Sequence, residues 1–280
     1  MNVQENYKCP SCGQDIVGRF CSACGEKKRV ANDLSLKHYI EESIEGFTHF
    51  DNKFFRSIKL LFFKPGALTS AFERGERVPY MKPMQLFVIS NLLFFFFFGG
   101  FNVFTVPLNN YLTLGNYVRI GTLETFNSKF GNHADVEKIT VLFNQKIVGQ
   151  SKAFIFLFIP FIALGCSLLF FRKKKHFTLH LVFATHFFSF LLLFFMFFGL
   201  VVEFPFKRWS TISIDQYEII ALSIIIPVML FYLLVSVRRF YKIKWIWCLL
   251  SSLCILYFFM QVLQMYRIGL FFKIIHSIEI

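Results

Sequence analysis

Five apolar stretches, at residues 86–106, 153–171, 179–202, 217–237 and 245–262, constrain this 280-residue chain more than any other feature. Each is long enough to cross a bilayer, which takes about 20 residues as a helix. Hydrocarbon offers no partner to backbone N–H and C=O groups, so spans of this length must close their own hydrogen bonds as α-helices. The predicted fold is therefore an all-α integral membrane protein of about five transmembrane helices. Composition agrees: 55% of residues are hydrophobic and 17% charged, with 42 phenylalanines. An ordinary soluble domain is about a quarter charged. The same figures exclude intrinsic disorder and fibrous repeats.

The net charge of +13 would suggest nucleic acid on a soluble chain. Here it has a simpler origin, because membrane proteins collect Lys and Arg at cytoplasmic helix ends. No basic patch interleaved with stacking aromatics stands outside the apolar stretches, so nucleic acid is not an expected partner. With the N-terminus inside, 21 of the 30 basic residues fall on the cytoplasmic side and nine outside. The short loops 172–175 and 238–244 each carry four basic residues and no acid. The expected topology is N-terminus cytoplasmic, C-terminus external. The first 33 residues are polar and contain no apolar signal-peptide core, so an internal segment is expected to direct insertion.

Ahead of the first span the chain changes character twice. Residues 1–30 hold Cys9-Pro10-Ser11-Cys12-Gly13 and Cys21-Ser22-Ala23-Cys24-Gly25. Two CxxC turns, each followed by glycine, let four sulfurs converge on one ion, and four thiolates form a closed tetrahedral site with no open position for substrate. The expected cofactor is one structural zinc ion on Cys9, Cys12, Cys21 and Cys24. A rubredoxin-like iron site uses the same donors, and disulfides are disfavoured on a reducing, cytoplasmic side. A tight hairpin is expected between the pairs, through Ile16, Val17, Gly18 and Phe20. So small a head should fold only when metal supplies the energy.

Residues 31–85 read as two amphipathic helices. The first, capped at Asp33 or Ser35, carries Leu36, Tyr39, Ile40, Ile44 and Phe47 on one face. Asp51 can cap the second, where Phe54, Phe55, Ile58, Leu61 and Phe62 form an apolar stripe and Lys53, Arg56 and Lys59 a basic one, up to the Pro65-Gly66 stop. Such helices either lie in the headgroup layer or pack on the bundle. Arg74, Arg77 and Lys82, set among Gly75, Pro79 and Pro83, are candidate contacts to anionic headgroups.

Residues 86–280 are the bundle. The outer segment 107–152 is long for a connector; Val136, Ile139, Phe143 and Ile147 mark an amphipathic helix in its second half, whereas its first half reads as either extended or helical. Residues 268–280 are amphipathic but too short and charged to span. Pro160 and Pro227 are expected to kink the second and fourth spans. His180 and His186 form the candidate intramembrane polar site, although their six-residue separation places them on different helix faces. An ionisable residue at that depth is either functional or a neutral imidazole hydrogen-bonded across a helix interface. No HExxH, GxSxG, Walker or kinase motif is present, so no catalytic residue is assigned.

The paired knuckles, then Phe50-Asp51-x-Lys53-Phe54, Ser57-Ile58-Lys59, Lys64-Pro65-Gly66 and Gly75-x-Arg77-x-x-Tyr80-x-x-Pro83, occur in an order that resembles a bacterial membrane family, domain of unknown function 3667. Phe63 departs from it, standing where a polar or basic residue is more usual. The resemblance covers roughly residues 9–90. It implies a zinc-ribbon head on a multi-pass protein of the bacterial inner (cytoplasmic) membrane, and no activity. Two functions fit the residues: a membrane-anchored adaptor or regulator whose head binds a cytosolic protein, or a small-solute or proton-coupled transporter or channel with a regulatory zinc head.

Overall fold

A computed structural model describes residues 7–28, 35–37, 39, 52–98, 104–131, 135–203, 205 and 214–278. Among the described residues the regular structure is helical apart from two short strands in the head, and three of these helices are long and apolar enough to cross a membrane: Phe177–Val202, Ile220–Tyr241 and Trp245–Ser277. A fourth crossing is available if the bent pair Val136–Ser151 and Ile155–Leu169 counts as one span. The helix at the first apolar stretch, α3 (Pro83–Phe98), has 16 residues, and positions 99–103 beyond it lie outside the described residues.

The chain divides into two compact units, residues 1–94 with 162–256 and residues 95–161 with 257–280. In the first unit, α1 (Lys53–Phe63) and α2 (Ala67–Arg74) form a hairpin. It packs on α9 (Phe177–Phe198) and α10 (Ile214–Tyr241). Phe62 lies 5.2 Å from the Phe190 ring and 5.8 Å from Phe197. This amphipathic segment thus has a bundle-facing side. Its buried face is Phe54, Ser57 and Leu61, while Phe55 is exposed, contrary to the expected stripe. Ser57 tolerates burial because its hydroxyl accepts the Met81 N–H at 2.9 Å. Asp33, Asp51 and most of the preceding helix lie outside the described residues; of that helix, Tyr39 is buried, its hydroxyl 3.3 Å from that of Thr185.

The hairpin turns at Lys64-Pro65-Gly66. Gly66 has φ 77°, and a Cβ there would sit 2.8–2.9 Å from the Ser236 backbone, so only glycine permits this approach to α10. The Arg239 guanidinium donates to the Pro65 carbonyl at 2.6 Å, satisfying an acceptor the turn leaves over. Helix α9 is apolar on every side and buried on nearly every side, as expected for a central helix.

The second unit corrects the reading of the chain's end. Residues 268–277 are no separate segment: α11 runs unbroken from Trp245 to Ser277. Its 33 residues measure about 50 Å, against about 30 Å of hydrocarbon. Its C-terminal turns share the core of a small helical assembly with α4 (Leu108–Thr113), α5 (Gly115–Val118), α6 (Thr122–Phe130) and α7 (Val136–Phe154), which make up the long segment between the first two apolar stretches. Its first half is thus helical rather than extended. Tyr111, Phe143, Ile147, Phe271, Ile274 and Ile275 are fully or almost fully buried together. Lys129 Nζ donates to the Ile275 and His276 carbonyls at 2.7 and 2.9 Å, and Lys146 Nζ to Ser277 at 2.7 Å. These lysines close the carbonyls that a helix C-terminus leaves open.

Helix α7 bends by 49° through Ile155–Leu157 into α8 (Phe158–Leu169). Pro160 explains the break, since its ring excludes the carbonyl four residues back and supplies no N–H. Pro227 sits within α10, which continues around it.

Candidate metal centre

Each cysteine pair sits on a turn of the same construction. In the first, Cys9 N–H donates to the Gln14 carbonyl at 2.8 Å and Gly13 N–H to the Cys9 carbonyl at 2.8 Å. In the second, Cys21 N–H donates to the Glu26 carbonyl at 2.8 Å and Gly25 N–H to the Cys21 carbonyl at 2.9 Å. Gly13 and Gly25 take φ 81° and 74°, which lets the chain close beneath the sulfurs. Strands β1 (Tyr7–Lys8) and β2 (Asp15–Ile16) pair antiparallel around the first turn, and a Phe20–Lys27 bridge closes the second. The expected hairpin between the pairs is instead two hairpins, each with a cysteine turn at its tip. The Cys-x-x-Cys-Gly unit itself reverses the chain, leaving Val17–Arg19 as the connection.

The four ligand atoms Cys9, Cys12, Cys21 and Cys24 Sγ all lie within 4.8 Å of one another. Cys9 and Cys24 sulfurs are 3.5 Å apart, as are those of Cys12 and Cys21. Thiolates about 2.3 Å from a tetrahedral zinc stand about 3.8 Å from each other, so the cluster has the dimensions of a four-sulfur metal site. Among the seven cysteines of the chain, none is disulfide-bonded. The backbone N–H groups of Cys24 and Ala23 point at the Cys21 sulfur and bring its thiol down to about 7. Cys24 shows the opposite: although the Glu26 N–H favours its thiolate, desolvation and the neighbouring sulfurs push it up to about 12. Four thiolates this close repel, and a bound cation removes that conflict.

Glu26 was an unremarked acid in the sequence and is central to the head. It is buried, and its Oε2 accepts three hydrogen bonds: from Ser11 Oγ at 2.5 Å and from the Arg77 and Val78 N–H groups, each at 3.0 Å. One carboxylate thus joins both cysteine turns to the loop that follows α2. Charge-assisted bonds of this kind are about twice as strong as neutral ones. The only trace in the sequence is an acid placed directly after a knuckle glycine.

The other candidate residues fall at separate places. His186 Nδ1 is 2.9 Å from Thr69 Oγ1 on α2, about 13 Å along α9 from its start. His180 Nδ1 is 2.8 Å from the Tyr241 hydroxyl, and the Tyr241 ring stacks on Phe170 at 3.7 Å. The two histidines therefore share neither partner nor face. Arg74 carries its own counter-charge, Glu76, with Nε–Oε1 at 2.5 Å. The Arg77 guanidinium lies over the Phe72 ring at 4.9 Å. Lys82 lines a small recess that also includes Arg77 and His186.

Residues 51–95, which span α1, α2, the Glu26-binding loop and most of α3, match the family described as protein of unknown function, DUF3667. No curated protein and no solved structure matches the chain. The similarity to that family thus falls on the platform that seats the cysteine head.

Proposed function

We propose that the chain is a membrane-embedded adaptor or regulator of the bacterial inner membrane whose cytoplasmic head, folded around one structural zinc ion, binds a cytosolic protein. The observation that carries this reading is the three-bond attachment of Glu26. It holds the head at a fixed orientation on the hairpin, which suits presentation of a surface better than a free tether does. The face it presents includes Val17 and Phe20, which are 81% and 59% exposed. Four cysteine ligands leave zinc no open position, so the metal supplies folding energy and no chemistry. Five crossings, α3, the bent pair α7/α8, α9, α10 and α11, complete the reading, with N-terminus inside and C-terminus outside. Arg77 and Lys82 would then meet cytoplasmic headgroups.

The test is crosslinking of the full-length protein in cells, comparing wild type with Val17→Asp/Phe20→Asp and with Cys12→Ser. A cytosolic protein crosslinked by wild type and lost from both variants is expected. Unchanged crosslinks in both variants, with the variants present at wild-type level, would refute the adaptor reading.

A further inference from the structure

The second unit contains a cleft of about 390 Å³, a size within the range of small-ligand sites. One wall is Phe158 and its neighbours on α8. The other is a single face of α11, positions 262, 265, 266, 269, 270 and 273, at the three- and four-residue steps of a helix. The lining is apolar but for its last member, Lys273. Tyr266 turns its hydroxyl away, donating to the Ser151 carbonyl at 2.7 Å, so that its ring, 4.9 Å from Phe158, forms the wall. A Cβ at Gly269 would meet no heavy atom within 4 Å, so the glycine keeps the middle of the cleft open. Phe161 and Met265 at the mouth are exposed.

The position of this cleft along α11 defines its environment. About 30 Å of hydrocarbon consumes about 20 residues from Trp245, which brings the helix to the neighbourhood of Met265. Lys273 stands about 12 Å further on, at 1.5 Å per residue. The cleft therefore begins in hydrocarbon and ends on a cation beyond it. An amphiphile with an acyl chain and an anionic head has this same division of polarity.

We propose that the cleft binds an anionic phospholipid, with one acyl chain along the 262–269 face and the phosphate against Lys273. Basic residues elsewhere at the bilayer edge also attract anionic lipid, so the share that belongs to this site is the part that depends on Lys273 and on the open space at Gly269. The full-length protein is extracted from membranes containing phosphatidylglycerol and phosphatidylethanolamine, and the retained lipid is measured by mass spectrometry. Phosphatidylglycerol should be enriched about fivefold over its bulk share, the effect expected of one lysine beside an anionic lipid. Lys273→Gln should lower that enrichment to the level the other basic residues hold. Gly269→Leu, which places a better helix former on the same helix and fills the cleft, should expel the lipid while the protein folds as before. Retention of both lipids in bulk proportion, retention of free fatty acid instead, or enrichment unchanged in the two variants would each overturn the proposal.

Discussion

Thr69 and His186, 117 residues apart in the chain, are joined side chain to side chain at 2.9 Å inside the first unit. The threonine comes from a short helix beyond the Pro65-Gly66 stop, where the sequence reading places none, and the histidine from the most buried of the three long apolar helices. Their bond gives the imidazole a hydroxyl partner at a place where a charged ring would be costly to hold. It also ties the hairpin to the bundle by a polar contact in addition to the packing of Phe62.

His186→Gln keeps a donor and an acceptor and should melt close to wild type. His186→Leu should lose about 0.6–2 kcal/mol, the range for side-chain hydrogen bonds within membrane proteins. Thr69→Val should cost a similar amount in wild type and nothing further in His186→Leu. Thermal unfolding of the four proteins in one detergent measures this coupling.

The purified protein should carry one zinc per chain by elemental analysis, and iron in its place would show the head to be a different centre. Cys12→Ser should release the metal and expose the head to protease. The helices should remain inserted, because their hydrogen bonds are internal to each helix.

Glu26→Ala should leave the Arg77 and Val78 N–H groups without their acceptor, at a cost of about 1–3 kcal/mol. Hydrogen exchange at those two amides should accelerate, while zinc content stays at wild type, since Glu26 is not a ligand. Loss of zinc with the carboxylate would show that docking and metal binding are one event.

Gly66→Ala should destabilise the protein by about 1–3 kcal/mol, because the added methyl meets the Ser236 backbone and the residue is left-handed. Gly121, left-handed as well at φ 89° and ψ 18° with only an ordinary 3.8 Å contact at its Cβ position, is the control. Gly121→Ala bears the conformational strain without a clash, so the difference in melting between the two variants isolates the close approach.

Reporter fusions after Phe171 and after Val237 should read cytoplasmic, and fusions after Phe130 and at the C-terminus external. A cytoplasmic C-terminus would mean an even number of crossings.

Legibility in the sequence follows the range of the interactions involved. The four cysteines were readable because a CxxC-Gly turn is local, and its sulfurs converge whatever surrounds it. The helices α9, α10 and α11 were readable because hydrocarbon length sets a threshold that apolar runs either pass or fail. The end of α11 was misjudged because Arg267 and Lys273 look like the close of a span, whereas here they decorate one helix that continues unbroken to Ser277. Ser57 and Glu26 were missed for one reason: each is a polar residue buried by a backbone N–H more than twenty residues away, and periodicity is blind to such a partner. Phe55 was misplaced by one helical step, about 100° of rotation, within a run of adjacent aromatics that carries no phase of its own.

The second unit sets an order of events in synthesis. The Tyr111 hydroxyl donates to the carbonyl of Arg267, 156 residues later, and Phe271 and Ile274 fill the same core. At ribosomal speeds of about 5–20 residues per second, the earlier half waits on the order of ten seconds for its partner. During that interval Tyr111, Phe143 and Ile147 lack the cover of Phe271, Ile274 and Ile275. The assembly is thus sealed only once residues 267–275 have been made, and a nascent protein stalled before them would be left with that core open.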